Sequence, residues 1–156
     1  MKNFKVSAYC DGACRNPGPG AYAVIMRDND TGYVIEGGGY LEETTNNRAE
    51  MHAVIRALKR CRHPERTELT VFTDSQLVVG FMQKNWRPKV NSDLVEGMKE
   101  LARRFARIDW VKVAGHSPEI DDDHHWHDRA DKLAVKILAN KGSQGMLVAE
   151  EDVYKK

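Results

Sequence analysis

Four acidic residues stand in four separate segments of the chain, and each occupies a pattern that would carry it to a shared cleft. They are Asp11 in YCDGACRNPGPG, Glu50 in TTNNRAEMHAVIRAL, Asp74 in LTVFTDSQLVV and Asp131 in HDRADKLAVKIL. Carboxylates held together without basic partners repel one another, and divalent cations relieve that repulsion. Hard oxygen ligands suit Mg²⁺ or Mn²⁺, and a pair of such ions supports phosphodiester cleavage. The four patterns therefore predict a cleft that binds divalent cations.

The composition is that of one soluble globular domain: 156 residues, of which 41% are apolar and 30% charged. No apolar run is long enough to span a bilayer, and MKNFKVSAY lacks the apolar stretch of a signal peptide. The three cysteines include no CxxC pair, so neither a disulfide framework nor a thiolate zinc site is expected. We expect a cytoplasmic monomer with no membrane contact and no obligate protein partner.

The net charge of +1 does not by itself indicate a nucleic-acid binder, but its distribution is uneven. Basic residues are enriched in the middle of the chain, from Arg56 to Arg107, whereas acidic residues cluster at Asp121–Asp123 and near the C-terminus. A basic middle is compatible with phosphate contacts. For any single residue, a solvated helix face is the simpler interpretation.

The first third of the chain predicts three strands. Apolar and polar residues alternate through FKVSAYC, and the turn RNPGPG ends that strand. Two further strands, AYAVIMR and YVIEGGGYL, are separated by DNDTG, which has the composition of a hairpin turn. The chain therefore begins as an antiparallel meander.

A helix is predicted from the cap residues Asn46 and Asn47 to about Arg62. Glu50 lies four residues before Val54, on the apolar face of that helix, so its carboxylate should point inward. A buried charge is costly unless it is paired or bound to a metal. The alternative is a capping glutamate in the first turn.

The second half alternates strands and helices. ELTVFT predicts a strand, and Asp74 stands where it passes into the helix DSQLVVGFMQKN, as a ligand or alternatively as its N-cap. A helix from about Asp93 to Arg107, the strand IDWVKVAG, a loop through HSPEIDDDHHWH and a last helix follow, with Asp131 in the first turn of that helix. The order βββαβααβα predicts a mixed five-stranded sheet with helices on its faces.

These segments together resemble type 1 ribonuclease H over residues 4–140. The resemblance depends on DGACRNPGPG, TTNNRAE, TDSQ, and a late GH followed by DRADKLA, in that order. It implies an α/β fold with sheet order 3-2-1-4-5, strands 1–3 antiparallel, and helices on both faces. Residues 1–141 would form the catalytic domain, and residues 142–156 a C-terminal tail.

By this resemblance Asp11, Glu50, Asp74 and Asp131 form the catalytic, metal-binding set. Two Mg²⁺ ions, with Mn²⁺ as a substitute, would lie roughly 4 Å apart across the scissile phosphate. The resemblance implies an endonuclease that hydrolyses the RNA strand of RNA–DNA hybrids and leaves 5′-phosphate and 3′-hydroxyl ends.

The resemblance also implies how each strand of the hybrid is held. Thr45 and Asn91 match positions that hold a DNA-strand phosphate, although Glu43 stands where an arginine often joins them. Trp86 would stack on a deoxyribose, with a half-buried structural role as the alternative. The residues expected to face the RNA strand, where they can contact 2′-hydroxyls and minor-groove edges, are Cys14, Asn16, Asn46, Asn47 and Gln76.

Two departures from the family pattern concern the substrate grip and the late loop. KNWRPKVNSD is too short for the basic protrusion of some family members, which implies salt-sensitive binding. His116 occupies the position of the histidine thought to aid proton transfer or product release. The loop 117–127 is longer than usual and rich in Asp and His, with His127 where the family usually has Asn. We expect these extra histidines to be protonated beside the acidic run, in a solvated loop or alternatively at a transition metal.

Two alternatives to a hybrid nuclease are compatible with the same fold. A non-catalytic module that binds hybrid or double-stranded RNA has no need of four carboxylates and a GH histidine. An integrase or junction resolvase would share the fold, and only the NPGPG and NNRAE segments favour hybrid cleavage over it.

Overall fold

The computed structural model describes residues 2–114 and 122–143, and the predicted element order βββαβααβα is confirmed. Of residues 141–143 only the backbone is described. No helix in these described ranges is long and apolar enough to cross a membrane. The elements, with a short 3₁₀ turn at Pro64–Arg66 before β4, are β1 Phe4–Cys14, β2 Gly18–Asp28, β3 Val34–Thr44, α1 Asn46–Arg60, β4 Thr67–Thr73, α2 Gln76–Gln83, α3 Ser92–Ala102, β5 Arg107–Lys112 and α4 Asp122–Ser143.

The five strands form one mixed sheet of order β3-β2-β1-β4-β5, which confirms the predicted topology. The pairs β1–β2 and β2–β3 are antiparallel, and β1–β4 and β4–β5 are parallel. β1 is therefore the central strand, with Asp11 in register with Ala23 of β2. The parallel pairing brings the C-terminal end of β4, and so Asp74, to the same edge of the sheet as the late part of β1.

Helices cover both faces of the sheet, as predicted. Ala8 and Cys10 of β1 belong to the core cluster formed with α1, α2 and α3. Tyr9, which points to the opposite face, packs in a second cluster with Phe72 and with Ala130 of α4. Alternation along one strand thus directs two different layers of helix onto the sheet.

Several predicted boundaries are wrong by a few residues, and one error affects the site. β1 continues past Cys10 through Asp11 to Cys14, because pairing with β2 extends through the DGAC segment. α3 ends at Ala102 rather than near Arg107, which instead begins β5. Short polar segments do not reveal such extensions, since cross-strand pairing rather than local propensity decides them.

The predicted loop through His127 is wrong, because α4 begins at Asp122. Two acidic residues in its first turn complement the positive end of the helix dipole, and the Tyr9 hydroxyl donates to Asp123 Oδ1 at 2.9 Å. Asp131 is consequently the tenth residue of α4 and lies in its third turn rather than its first. Residues 115–121, which include His116, and residues 144–156, which include most of the expected tail, lie outside the described residues.

The connection between α2 and α3 is the eight-residue segment 84–91, which leaves no room for a basic protrusion. Trp86 in this segment is 37% exposed, and its ring lies over Gly80 of α2 so closely that a Cβ there would come within 2.0 Å of Cε3. The Lys84 ammonium lies 5.7 Å from the centre of the same ring. The Trp86 ring can therefore pack against α2 in this position only because Gly80 has no side chain.

Replacing two mid-helix glycines with alanine should shift stability in opposite directions. Helix propensity alone favours alanine at both sites by about 0.5–1 kcal/mol. At Gly97 of α3 the nearest neighbour of an added Cβ is Ile55 Cδ1 at 3.6 Å, so Gly97→Ala should raise Tm by about 1–4 °C. Gly80→Ala should lower Tm, because the Trp86 ring must move. Thermal melts followed by circular dichroism test the pair, and a rise in both variants would contradict the packing described.

Candidate active site

Asp11 lies on the central strand and is only 3% exposed. Its Oδ1 accepts a hydrogen bond from the Gly12 backbone N–H at 2.9 Å. The same N–H lies 3.2 Å from Glu50 Oε1, so one amide donor serves two carboxylates on different elements. This shared donor fixes the position of both side chains at the junction of β1 and α1.

The close approach of α1 to β1 requires glycine at position 12. A Cβ there would lie 2.8 Å from Ala49 Cβ and 2.9 Å from the Glu50 backbone nitrogen. The hydroxyl of Thr45 caps α1 by accepting from the Arg48 N–H, so the alternative in which Glu50 caps the helix is wrong. Glu50 Oε2 is buried and has no hydrogen-bond partner among the described residues.

Asp74 directly follows β4, and Ser75 rather than Asp74 caps α2 through a 3.2 Å bond from the Val78 N–H. The alternative role of Asp74 as an N-cap is therefore wrong, and its carboxylate is not used by the helix end. Asp131 reaches the same place from α4. Asp11, Glu50, Asp74 and Asp131 line one open cleft, and none of the described residues that line it is basic.

The carboxyl groups of this cleft oppose one another's ionisation in the metal-free protein. The pKa of Asp11 is raised to about 8, chiefly by burial and then by the neighbouring carboxylates of Asp74 and Asp131, while a hydrogen bond with Glu50 partly lowers it. Burial, followed by repulsion from Asp11, raises the pKa of Glu50 well above its ordinary range. A cleft with these pKa values and an unpartnered carboxylate oxygen fits a divalent cation, which would replace the missing positive charge.

His127 extends from α4 into the same region, and it is buried at 6% exposure. Its Nε2 lies 3.1 Å from the Cys10 carbonyl oxygen, and a ring nitrogen lies within 4.8 Å of carboxylate oxygens of Asp11 and Asp74. The expectation of a protonated loop histidine is wrong for His127. Burial lowers its pKa, although Asp74 and Asp131 partly oppose that effect.

Most residues predicted to face the RNA strand surround the carboxylates. Asn46, Asn47 and Gln76 line the same cleft. Asn16 Oδ1 accepts from the Asn46 N–H at 3.1 Å, and the Asn16 N–H donates to Cys14 Sγ at 3.2 Å. These bonds tie the β1–β2 turn to the start of α1, so both segments present their polar groups together.

The two residues predicted to hold a DNA phosphate, Thr45 and Asn91, are linked through Arg48. The Arg48 N–H donates to Thr45 Oγ1, and its Nη1 donates to Asn91 Oδ1 at 3.1 Å. Asp93 pairs with the same guanidinium at 2.9 Å. Glu43, which stands where an arginine is often found, is exposed.

Three residues of this region were not singled out by the sequence patterns: Gly12, Arg48 and Ser75. A glycine directly after a candidate ligand in a strand is a signal of close backbone approach. Serine between a strand and an apolar run is a cap signal. Arg48 had no local signal, because its partners Asn91 and Asp93 come from a distant part of the chain.

The mixed sheet and the cleft define the class as an α/β protein with four carboxylates, and no basic side chain, among the described residues that line one cleft. The RNase H family model matches residues 3–139. Ribonuclease H of Halorhodospira halophila is 41% identical over 143 residues, which cover 83% of this chain and 89% of that protein. The chain belongs to the ribonuclease H family of endoribonucleases.

Solved structures agree with this assignment. RNase H1 from the halophilic archaeon Halobacterium salinarum matches with a TM-score of 0.72 and 31% identity, covering 87% of this chain and 98% of that one. LC11-RNase H1, solved in complex with RNA/DNA hybrid, matches with a TM-score of 0.71 and 28% identity, covering 88% and 99%. Both similarities extend over nearly the whole described chain.

Asp11→Asn should stabilise the metal-free protein, and by more at high pH. The pKa of Asp11 is about 8 when folded and roughly 3.9 when unfolded, so the folded state binds the proton more tightly. Its contribution to stability is therefore complete below about pH 4 and is lost as pH rises through about 8. An asparagine, which cannot ionise, avoids that loss while Oδ1 can still accept from Gly12.

Thermal melts in EDTA at pH 5 and pH 8 measure this effect. The Tm advantage of Asp11→Asn over wild type should be larger at pH 8 by at least about 2 °C. Asp30→Asn, in an exposed turn, is the matched control and should show no such difference. An advantage that shrinks as pH rises would show that Asp11 is not destabilised by its surroundings.

Proposed function

We propose that this chain is an endonuclease that hydrolyses the RNA strand of RNA–DNA hybrids and leaves 5′-phosphate and 3′-hydroxyl ends. Residues 1–141 would form the catalytic domain. The observation that carries the proposal is the cleft in which Asp11, Glu50, Asp74 and Asp131 meet with a buried, unpartnered carboxylate oxygen. Membership of the ribonuclease H family, and the hybrid bound by LC11-RNase H1, support the substrate.

The four carboxylates would hold two Mg²⁺ ions, with Mn²⁺ as a substitute. When bound, such ions activate water and neutralise the charge that develops on the leaving oxygen. The protein's own part is to hold its ligands in place before substrate arrives. Gly12 does so for two carboxylates at once, and the open cleft would admit a nucleic-acid backbone.

Discrimination between RNA and DNA would come from polar groups beside the carboxylates. Cys14, Asn16, Asn46, Asn47 and Gln76 offer amide, thiol and backbone groups suited to 2′-hydroxyls without reading base sequence. A second set of residues is proposed to contact the DNA strand of the hybrid. Thr45 and Asn91, joined by Arg48, would contact a DNA phosphate, and Trp86 would pack on a deoxyribose.

His116 is proposed to transfer a proton or aid product release. It follows Gly115 closely after β5, which is paired with β4, the strand that leads into Asp74. Such a group contributes only part of the rate enhancement, whereas the carboxylates are needed for the reaction to occur at all. Substitution of His116 should therefore reduce the cleavage rate less than substitution of one of the carboxylates.

Cleavage assays with labelled RNA–DNA hybrid test the proposal. Wild type should cut the hybrid in Mg²⁺ or Mn²⁺ but not in EDTA, and should not cut double-stranded DNA. Asp74→Asn should abolish cleavage, because an amide cannot replace the carboxylate's charge. His116→Ala should retain cleavage with kcat reduced by roughly 10–1000-fold. The ends of the products are read by sensitivity to a 5′-phosphate-dependent exonuclease and by 3′ extension.

Asp30→Asn, with its exposed side chain, is the control and should cut like wild type. Circular dichroism verifies that each variant is folded. Cleavage near the wild-type rate by folded Asp74→Asn would contradict the proposed site. Tight hybrid binding by wild type without cleavage in either ion would instead indicate a binding module.

A further inference from the structure

His127 places a nitrogen donor beside Asp11 and Asp74, two of the carboxylates that line the cleft. One of its ring nitrogens lies within 4.8 Å of carboxylate oxygens of both Asp11 and Asp74. His127 is four residues before Asp131 on α4, so both side chains leave the helix on the same side. The candidate ligand atoms near the ring nitrogen of His127 therefore come from two further elements: Asp11 from β1 and Asp74 from the end of β4.

The orientation of the ring is fixed by the strand that carries Asp11. A backbone carbonyl can only accept, so the 3.1 Å contact of Nε2 with Cys10 places a proton on Nε2. In the neutral ring the other nitrogen then carries a lone pair. Donation of one ring N–H to a backbone carbonyl is the usual way in which proteins orient an imidazole that binds a metal.

A second observation indicates that the cluster is built for a cation. Glu50 Oε2, in the same cleft, is buried without a hydrogen-bond partner among the described residues. No basic side chain among the described lining residues supplies the missing positive charge. A cation bound by Asp11 would also neutralise this neighbouring carboxylate.

We propose that His127 is a metal ligand that forms, with Asp11 and Asp74, a mixed nitrogen–oxygen position selective for Mn²⁺ over Mg²⁺. Mg²⁺ demands oxygen ligands in near-ideal octahedral geometry and dehydrates reluctantly, whereas first-row transition ions accept imidazole readily. The inference rests on the proposed function in that it uses two of the same carboxylates. It goes further by assigning a ligand and an ion preference to one position of the site.

Pulsed electron paramagnetic resonance of the Mn²⁺-loaded protein tests the assignment without reading cleavage. A ¹⁴N nucleus bound directly to Mn²⁺ gives a hyperfine coupling that carboxylate and water ligands do not give. We expect this coupling in wild type and in His125→Asn, the exposed control on the same helix. We expect its loss in His127→Asn, which offers no imidazole nitrogen, and in His127→Gln, whose longer amide can still donate to the Cys10 carbonyl.

Calorimetric titrations measure selectivity in the same proteins. His127→Asn should weaken Mn²⁺ binding by at least about tenfold, as expected when a ligand or its supporting shell is lost. Mg²⁺ affinity should change by less than about threefold, since its ligands are oxygens. Equal losses for both ions would show that His127 supports the fold of the cleft rather than selecting the ion.

The outcomes separate this inference from the function on which it rests. Mn²⁺ that binds wild type but not Asp11→Asn, and that shows no nitrogen coupling, overturns the role of His127 and leaves the carboxylate site intact. Failure of Mn²⁺ to bind wild type overturns both. Nitrogen coupling that persists in His127→Asn assigns the ligand to another histidine and also overturns the proposal. Should His127→Asn not fold, His127→Gln replaces it, and absence of coupling in wild type still decides against His127.

Discussion

The rest of the site depends on how β1 and α1 hold Asp11 and Glu50 together in spite of their repulsion. The Gly12 N–H donates to both carboxylates, and the lack of a side chain at Gly12 allows α1 to approach that closely. One amide does not neutralise two buried charges, and Asp74 and Asp131 add to the repulsion. The fold therefore holds together carboxyl groups that resist ionisation on their own and that a bound cation would stabilise in the ionised form.

The sheet topology brings the remaining candidate ligands to the cleft. Parallel pairing of β1 with β4 brings Asp74 to the edge where Asp11 lies, and Ser75 caps α2 so that the carboxylate is left for the cleft. α4 crosses the opposite face of the sheet and is held at its start by the bond from Tyr9 to Asp123. The electrostatically unfavourable contacts are thus confined to a few carboxyl groups, while packed helices cover both faces of the sheet.

The features of the fold and the site that can be predicted from the sequence are those with a local signal. Alternation in β1 and the inward position of Glu50 follow from periodicities of two and 3.6 residues, which burial imposes directly. The start of α4 was mispredicted because a run of Asp and His resembles a loop, whereas helix-dipole stabilisation and the Tyr9 bond make it a helical turn. The burial of His127 and the Arg48–Asn91 contact could not be foreseen, since each depends on a distant segment.

Proton release on metal binding tests whether the carboxyl groups of the cleft resist ionisation until a cation binds. Calorimetric titration of Mg²⁺ at pH 7, in two buffers of different ionisation enthalpy, counts the protons released per ion. Because the pKa of Asp11 is about 8 without metal, a bound cation should displace protons from the cleft. We predict net proton release by wild type and a smaller release by Asp11→Asn. Metal binding without proton release would contradict the view that these carboxyl groups resist ionisation until a cation binds.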